Sequence, residues 1–190
     1  SEIINKTLNM KYTITFALSL FIFISIYAQK RQAVFAGAGV GLDHGGLGLK
    51  VEYQPFKYLG VFGGVGHNLV GFNGNGGLIC NILPKKNFTP VATVMLGVNA
   101  SIVVDYQDQQ GQSTGRKGKA LYEGFTVGGG FDVKLGRKKN QKLNFMLLVP
   151  LRHGGFYWAR NYIIQNGGTI KQDVYPVLLA AGWNINLLDL

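Results

Sequence analysis

Residues 92–106 read Ala-Thr-Val-Met-Leu-Gly-Val-Asn-Ala-Ser-Ile-Val-Val-Asp-Tyr. Ala92, Val94, Leu96, Val98, Ala100, Ile102, Val104 and Tyr106 alternate with Thr93, Met95, Gly97, Asn99, Ser101, Val103 and Asp105. Successive side chains of an extended chain point to opposite faces. The first set makes one apolar face. The second is small or polar and does not make a conventional greasy core. A transmembrane β-barrel asks for that inversion, with apolar residues outward and polar residues inward. Val98 is thus expected to face outward, and Asn99 and Ser101 to face the lumen.

The same period of two recurs along the chain. It predicts strands over 33–42, 47–54, 59–67, 76–83, 90–106, 122–135, 142–152 and 175–187. Turn signals separate them: Asp43-His44-Gly45-Gly46, Pro55-Phe56-Lys57, Pro84-Lys85-Lys86-Asn87 and a basic turn over 136–141. Longer connections are expected over 68–75, 107–119 and 153–173. The 28 glycines follow no Gly-X-Y period, which excludes collagen. They suit the bends and close packing of a narrow barrel. The expected fold is all-β: an eight-stranded antiparallel up-and-down transmembrane β-barrel, the smallest closed form, with side chains filling the interior. An even strand count puts both chain ends on one side, with short turns there and the longer loops opposite.

The front of the chain reads as export machinery. Lys11 and the apolar run to Tyr27 make residues 10–28 a signal peptide, with cleavage expected after Ala28. A single anchor helix is the alternative. Residues 1–9 precede Met10 and are expected to be an upstream start-site artefact. The barrel domain is then 29–190. The expected location is the cell outer membrane, since a spanning mature domain without a long apolar helix must close as a barrel.

Nineteen Lys and Arg against nine Asp and Glu give a formal charge of +10. High basicity suggests nucleic acid, but an export signal and turn-like clustering speak against it. The clusters are Lys85-Lys86, Arg116-Lys117-Lys119 and Arg137-Lys138-Lys139. Outer-membrane lipid and lipopolysaccharide phosphates are the expected partners. Cys80, the single cysteine, is expected on an outward strand face.

The run Gly41-Leu42-Asp43-His44-Gly45-Gly46-Leu47-Gly48, then Glu52-Tyr53-Gln54-Pro55 and Leu59-Gly60-Val61-Phe62-Gly63-Gly64-Val65-Gly66, resembles the small outer-membrane β-barrel family of Gram-negative bacteria. Leu148-Val149-Pro150-Leu151-Arg152 resembles it too, and the likeness runs through the mature chain. Many such barrels end on an aromatic residue. This chain ends Leu187-Leu188-Asp189-Leu190, with Trp183 the nearest aromatic.

Chemistry-bearing residues are few. His44, His67 and His153 are expected at the loop-end rim without converging as a metal site. Ser101 and Ser113 are the only serines after the leader, which argues against a lipid-modifying esterase. No catalytic residue, metal or cofactor is assigned. The candidate lumen charges are Lys50, Glu52, Asp132, Lys134 and Arg152, among the inward residues Asn81, Asn99, Asn144, Asn184 and Asn186. They read as a polar conduit or as a salt-bridged plug, and the strand number favours the plug. Phe156, Tyr157, Trp158 and Tyr162 are candidate loop contacts, for an interfacial girdle or for a surface partner or glycan. Ile163-Ile164 suggests a short extra hairpin.

The expected function is a non-enzymatic outer-membrane barrel with a structural, adhesive or binding role carried by its extracellular loops. A secreted or periplasmic lipocalin-like barrel binding a small apolar ligand is the alternative. An accessory barrel of a secretion system and a lipid-modifying membrane enzyme come after it.

Overall fold

The computed structural model describes residues 32–68, 70–107, 113–166, 169–170 and 174–189. The leader and the upstream residues lie outside them. The strands are β1 (Ala33–Gly41), β2 (Gly46–Gln54), β3 (Leu59–His67), β4 (Phe72–Asn81), β5 (Phe88–Gln107), β6 (Ser113–Leu135), β7 (Gln141–Leu151), a two-residue β8 (Thr169–Ile170) and β9 (Leu178–Asn186). One α-helix, α1 (Gly154–Gln165), lies between β7 and β8.

The fold is a closed barrel of eight antiparallel strands. Neighbours run β1-β2-β3-β4-β5-β6-β7-β9, and β9 returns to β1. Each pair but β9–β1 and β7–β9 is a sequential hairpin, so closure needs only the last strand to cross from β7 to β1. Closure leaves no sheet edge along the barrel wall. β8 pairs with β5 at Val104 and Asp105, beyond the point where β4 ends.

The period-two reading places most strands within a few residues. Four differences have physical causes. β4 begins at Phe72, not Gly76: Asn73 and Asn75 are buried inward, so asparagines that read as loop are lumen residues. β5 and β6 extend into the stretch expected as the loop 107–119, since backbone pairing between neighbours needs no apolar side chains. The last strand is Leu178–Asn186, shorter than 175–187. The stretch after β7 is helical where an extra hairpin was expected. Phe156, Ala159 and Ile163 fall at i, i+3 and i+7 and pack as one face, a helical spacing.

The opening stretch carries the sharpest correction. Asn99 is an extra residue on β5: Val98 pairs with Glu123, but Ala100 pairs with Tyr122. Such a bulge puts two residues against one and exchanges the faces beyond it. Up to Leu96 the alternation holds, with Val94 and Leu96 exposed and Thr93 and Met95 buried. After it Ala100 and Ile102 are buried, and Val98 and Asn99 are both buried. Val98 is therefore not an outward residue, and Ser101 shares the outward side with its pair Leu121.

Across the wall the inversion is plain. Leu49, Val65, Leu96, Phe125, Leu147 and Leu179 point outward and are 53–77% exposed. Inside, Phe62, Ile79, Val91, Met95, Met146, Leu148 and Ala180 form an apolar cluster with Leu42 and Leu178 against it. Charged and amide side chains fill the remainder. The first connection, Leu42–His44, is a 3₁₀ turn closed by Gly45 at φ 70°, where glycine is favoured. It folds inward, leaving Asp43 and His44 fully buried. His44 was expected at the rim. It sits instead in the barrel, against the backbone of Gly39 and Gly182, where a Cβ at either position would come within 2.6 Å of its ring. Glycine at those positions makes the room that the inserted turn needs.

Candidate functional site

Three of the five candidate lumen charges come together. The Lys50 ammonium donates to Asp43 Oδ2 at 2.6 Å and to Asn144 Oδ1 at 3.4 Å. Asn144 Nδ2 donates to Asp132 Oδ1 at 2.5 Å. Lys142 Nζ lies 2.8 Å from both Asp132 Oδ2 and Glu52 Oε2. Gln54 donates to Glu52, and His44 Nδ1 meets Asp43 Oδ1 at 2.9 Å. The result is one polar chain: His44, Asp43, Lys50, Asn144, Asp132, Lys142, Glu52, Gln54. It is contributed by the inserted turn and by β2, β6 and β7.

The burial makes this arrangement demanding. Lys50, Glu52, Asp132 and Lys142 are each 1–2% exposed. A charge taken from water destabilises unless it is paired and hydrogen-bonded. Both ammoniums also face aromatic rings, Lys142 at 4.4 Å from the Phe35 centroid and Lys50 at 5.6 Å from that of Phe62. Such contacts add attraction where water is excluded. This is the chemistry of a fixed plug: each of these charges has an opposite partner within the barrel.

Lys134 and Arg152 share the inward parity but not the network. Lys134 lies toward the turn end, where its ammonium donates to the Pro84 carbonyl. Arg152 lies at the loop end, donates to the Tyr175 carbonyl and places its guanidinium 5.7 Å over Phe156. The sequence reading missed Lys142, Asp43 and His44. Lys142 was within reach: with Leu143, Phe145 and Leu147 outward, parity puts residues 142, 144, 146 and 148 inward together. Asp43 and His44 had no such signal, because an inward-folded turn leaves no periodic trace.

Two hollows open from the ends of the barrel and share no lining residue. At the turn end is a vestibule of about 470 Å³, floored by Asp132 and Lys142. At the loop end is a smaller one of about 190 Å³, lined by Leu42, Asn99, Arg152 and Leu178 among others.

At the loop end, α1 starts at His153, whose Nδ1 accepts from the Gly155 amide at 3.2 Å and caps the helix. The candidate loop contacts then divide. Phe156 is 2% exposed, packed on Ala100 and Ile102 and edge-on to Tyr122 at 5.5 Å. It is an anchor, not a contact surface, because the face exchange at Asn99 turns apolar side chains toward it. Tyr157, Trp158 and Tyr162 are 51–69% exposed, and the Trp158 and Tyr162 rings stack at 5.4 Å. His67 is exposed on β3 and meets Phe72 edge-on at 5.3 Å. The three histidines thus lie in three separate settings. Among the described residues, no group of three or more His, Cys, Asp or Glu is arranged to hold a metal ion.

Comparison with protein-family models, with curated proteins and with solved structures finds no match.

Proposed function

We propose that the chain is a non-enzymatic outer-membrane β-barrel whose lumen is plugged by side chains and whose loop end carries a contact surface. The observation that carries this reading is the inverted barrel: an apolar outer wall around a buried ionic interior. In water, an outer wall of that composition is an exposed apolar surface far beyond ordinary patches. In lipid it is the expected exterior. The resemblance of the Gly41–Gly48 and Leu59–Gly66 stretches to small outer-membrane barrels of Gram-negative bacteria supports the same reading. An apolar-ligand calyx needs the opposite arrangement, and the Lys50–Asp43 and Lys142–Glu52 pairs occupy the place its ligand would take.

In this orientation α1 stands outside the cell, since the short turns lie with the chain ends. Tyr157, Trp158 and Tyr162 offer flat rings to a surface glycan or a protein partner, held in place by the buried Phe156. Arg116, Lys117 and Lys119, on the same side, suit lipopolysaccharide phosphates.

The test is production of the full chain in a Gram-negative host, followed by fractionation and electrophoresis with and without boiling. A band confined to the outer-membrane fraction that shifts on boiling is expected. Recovery as a soluble periplasmic monomer overturns the proposal.

A further inference from the structure

The turn-end vestibule collects cations that the plug does not use. Lys57, Lys85, Lys134, Lys138 and Lys139 line it, together with Lys142 on its floor. Among the described residues, Asp132 is the only acidic one in the lining, and its carboxylate already holds Lys142. Lys57, Lys85, Lys138 and Lys139 therefore edge about 470 Å³ with no further carboxylate among the described lining residues to pair with them. Like charges gathered around a low-dielectric concavity repel one another and focus a positive potential into it.

The rim is built, not loose. The Lys134 amide donates to the Asn87 carbonyl at 2.8 Å, and the Asn186 amide to the Asn140 carbonyl at 2.7 Å, tying the turns to neighbouring strands. Thr89 is 1% exposed, and its hydroxyl lies 3.2 Å from the carbonyls of Leu83 and Lys86 within the β4–β5 turn. Lys139 adopts φ 53°, a left-handed conformation that glycine or asparagine takes more readily. A lysine there is a local disadvantage, offset if its charge has a use. A second, independent observation points into the same hollow. Asn81 lines the vestibule, is 3% exposed, and its Nδ2 has no hydrogen-bond partner. A buried donor left unpaired is costly, and this one belongs to a residue in the wall of the basic cavity, where an acceptor would satisfy it.

We infer that the turn-end vestibule is a binding site for a multivalent phosphate-bearing anion, with Asn81 Nδ2 as the inner donor and Lys57, Lys85, Lys134, Lys138 and Lys139 as the cationic collar. Lysines act as mobile point charges, which suits phosphate clusters more than a single planar carboxylate. The volume is that of a small-molecule site. The inference needs only the barrel and its turn end, and stands whether or not the wall meets lipid.

The experiment uses the full chain folded in zwitterionic micelles at low ionic strength, titrated calorimetrically with inorganic tripolyphosphate. A parallel arm measures flotation with vesicles of phosphatidylcholine with and without phosphatidylglycerol. The rim variant Lys85→Gln/Lys138→Gln/Lys139→Gln is compared with Arg116→Gln/Lys117→Gln/Lys119→Gln, which removes the same charge at the far end of the barrel. At about threefold per exposed cation, the rim variant should weaken tripolyphosphate binding about thirtyfold, and the far-end variant less than about twofold. Asn81→Asp, which replaces the inner donor with a carboxylate, should weaken it further. Loss of tripolyphosphate binding in the rim variant assigns a free phosphate compound. Loss confined to phosphatidylglycerol vesicles assigns a lipid headgroup. Equal weakening by both triple variants, or no binding of either probe by the unsubstituted chain, overturns the inference.

Discussion

Replacing Lys142 by methionine isolates what the ionic plug contributes. Methionine keeps the length and most of the volume of the side chain, so the change is mainly one of charge. Two carboxylates lose a cation at 2.8 Å, and both are almost fully buried. Asp132 keeps Asn144 and Glu52 keeps Gln54, but both are neutral donors. Breaking a buried pair by removing one partner destabilises by about 3–5 kcal/mol, because an uncompensated charge stays inside. Lys142 serves two such partners, so the upper part of that range is expected. The same reasoning predicts recovery. Lys142→Met combined with Glu52→Gln and Asp132→Asn leaves no unpaired buried charge behind, since Lys50 keeps Asp43, and neutral replacement of buried ion groups is often nearly free. The triple variant should return to within about 1 kcal/mol of the parent. Urea unfolding of the folded chain, followed by tryptophan fluorescence, reads both values. A loss below about 1 kcal/mol for Lys142→Met, or a triple variant no more stable than the single, would refute a plug held by complementary charge.

Three further outcomes follow from the packing. Leu147→Arg, on the outer wall at 54% exposure, should destabilise the chain in vesicles by about 2–4 kcal/mol; a water-facing position would change by about 0.5 kcal/mol or less, and vesicle unfolding curves separate the two. Gly182→Ala should cost about 1–3 kcal/mol, because its Cβ would lie 2.5 Å from His44 Nε2. Most of that cost should vanish in a His44→Ala background, as a double-mutant cycle will show. Phe156→Ala should release α1 while sparing the barrel: limited proteolysis within 154–165 should rise, and the boiling-dependent shift should persist. Loss of that shift would place α1 in the structural core.

What the sequence revealed and hid divides along physical lines. Strands such as β2, whose lumen face is Gly48, Lys50, Glu52 and Gln54, were legible because period two survives any choice of residues with the right sizes. The bulge at Asn99 was not, since a single inserted residue leaves the composition alternating while moving each later side chain to the other face. The plug was half legible. Lys50, Glu52 and Asp132 follow from parity, and Lys142 should have. Asp43 and His44 enter through a turn, and a turn's direction is decided by space made elsewhere, at Gly39 and Gly182. Helix α1 was hidden because Gly154 and Gly155 begin it, which reads as loop, and because its apolar face is meaningful only once the β5–β6 extension is there to receive Phe156.

The chain has two tryptophans, and they sit in opposite environments. Trp183 lies on the outer wall of β9, paired with Ala38 and Leu143, with its indole donating to Gln141 at 3.2 Å near the turn end. Trp158 lies on the exposed face of α1. Variants Trp158→Phe and Trp183→Phe each leave a single emitter. After folding into vesicles, Trp183 should be quenched by lipids brominated near the headgroup and be shielded from aqueous iodide, and Trp158 should show the reverse. Quenching of both by iodide, with none by brominated lipid, would contradict an outer wall that faces hydrocarbon.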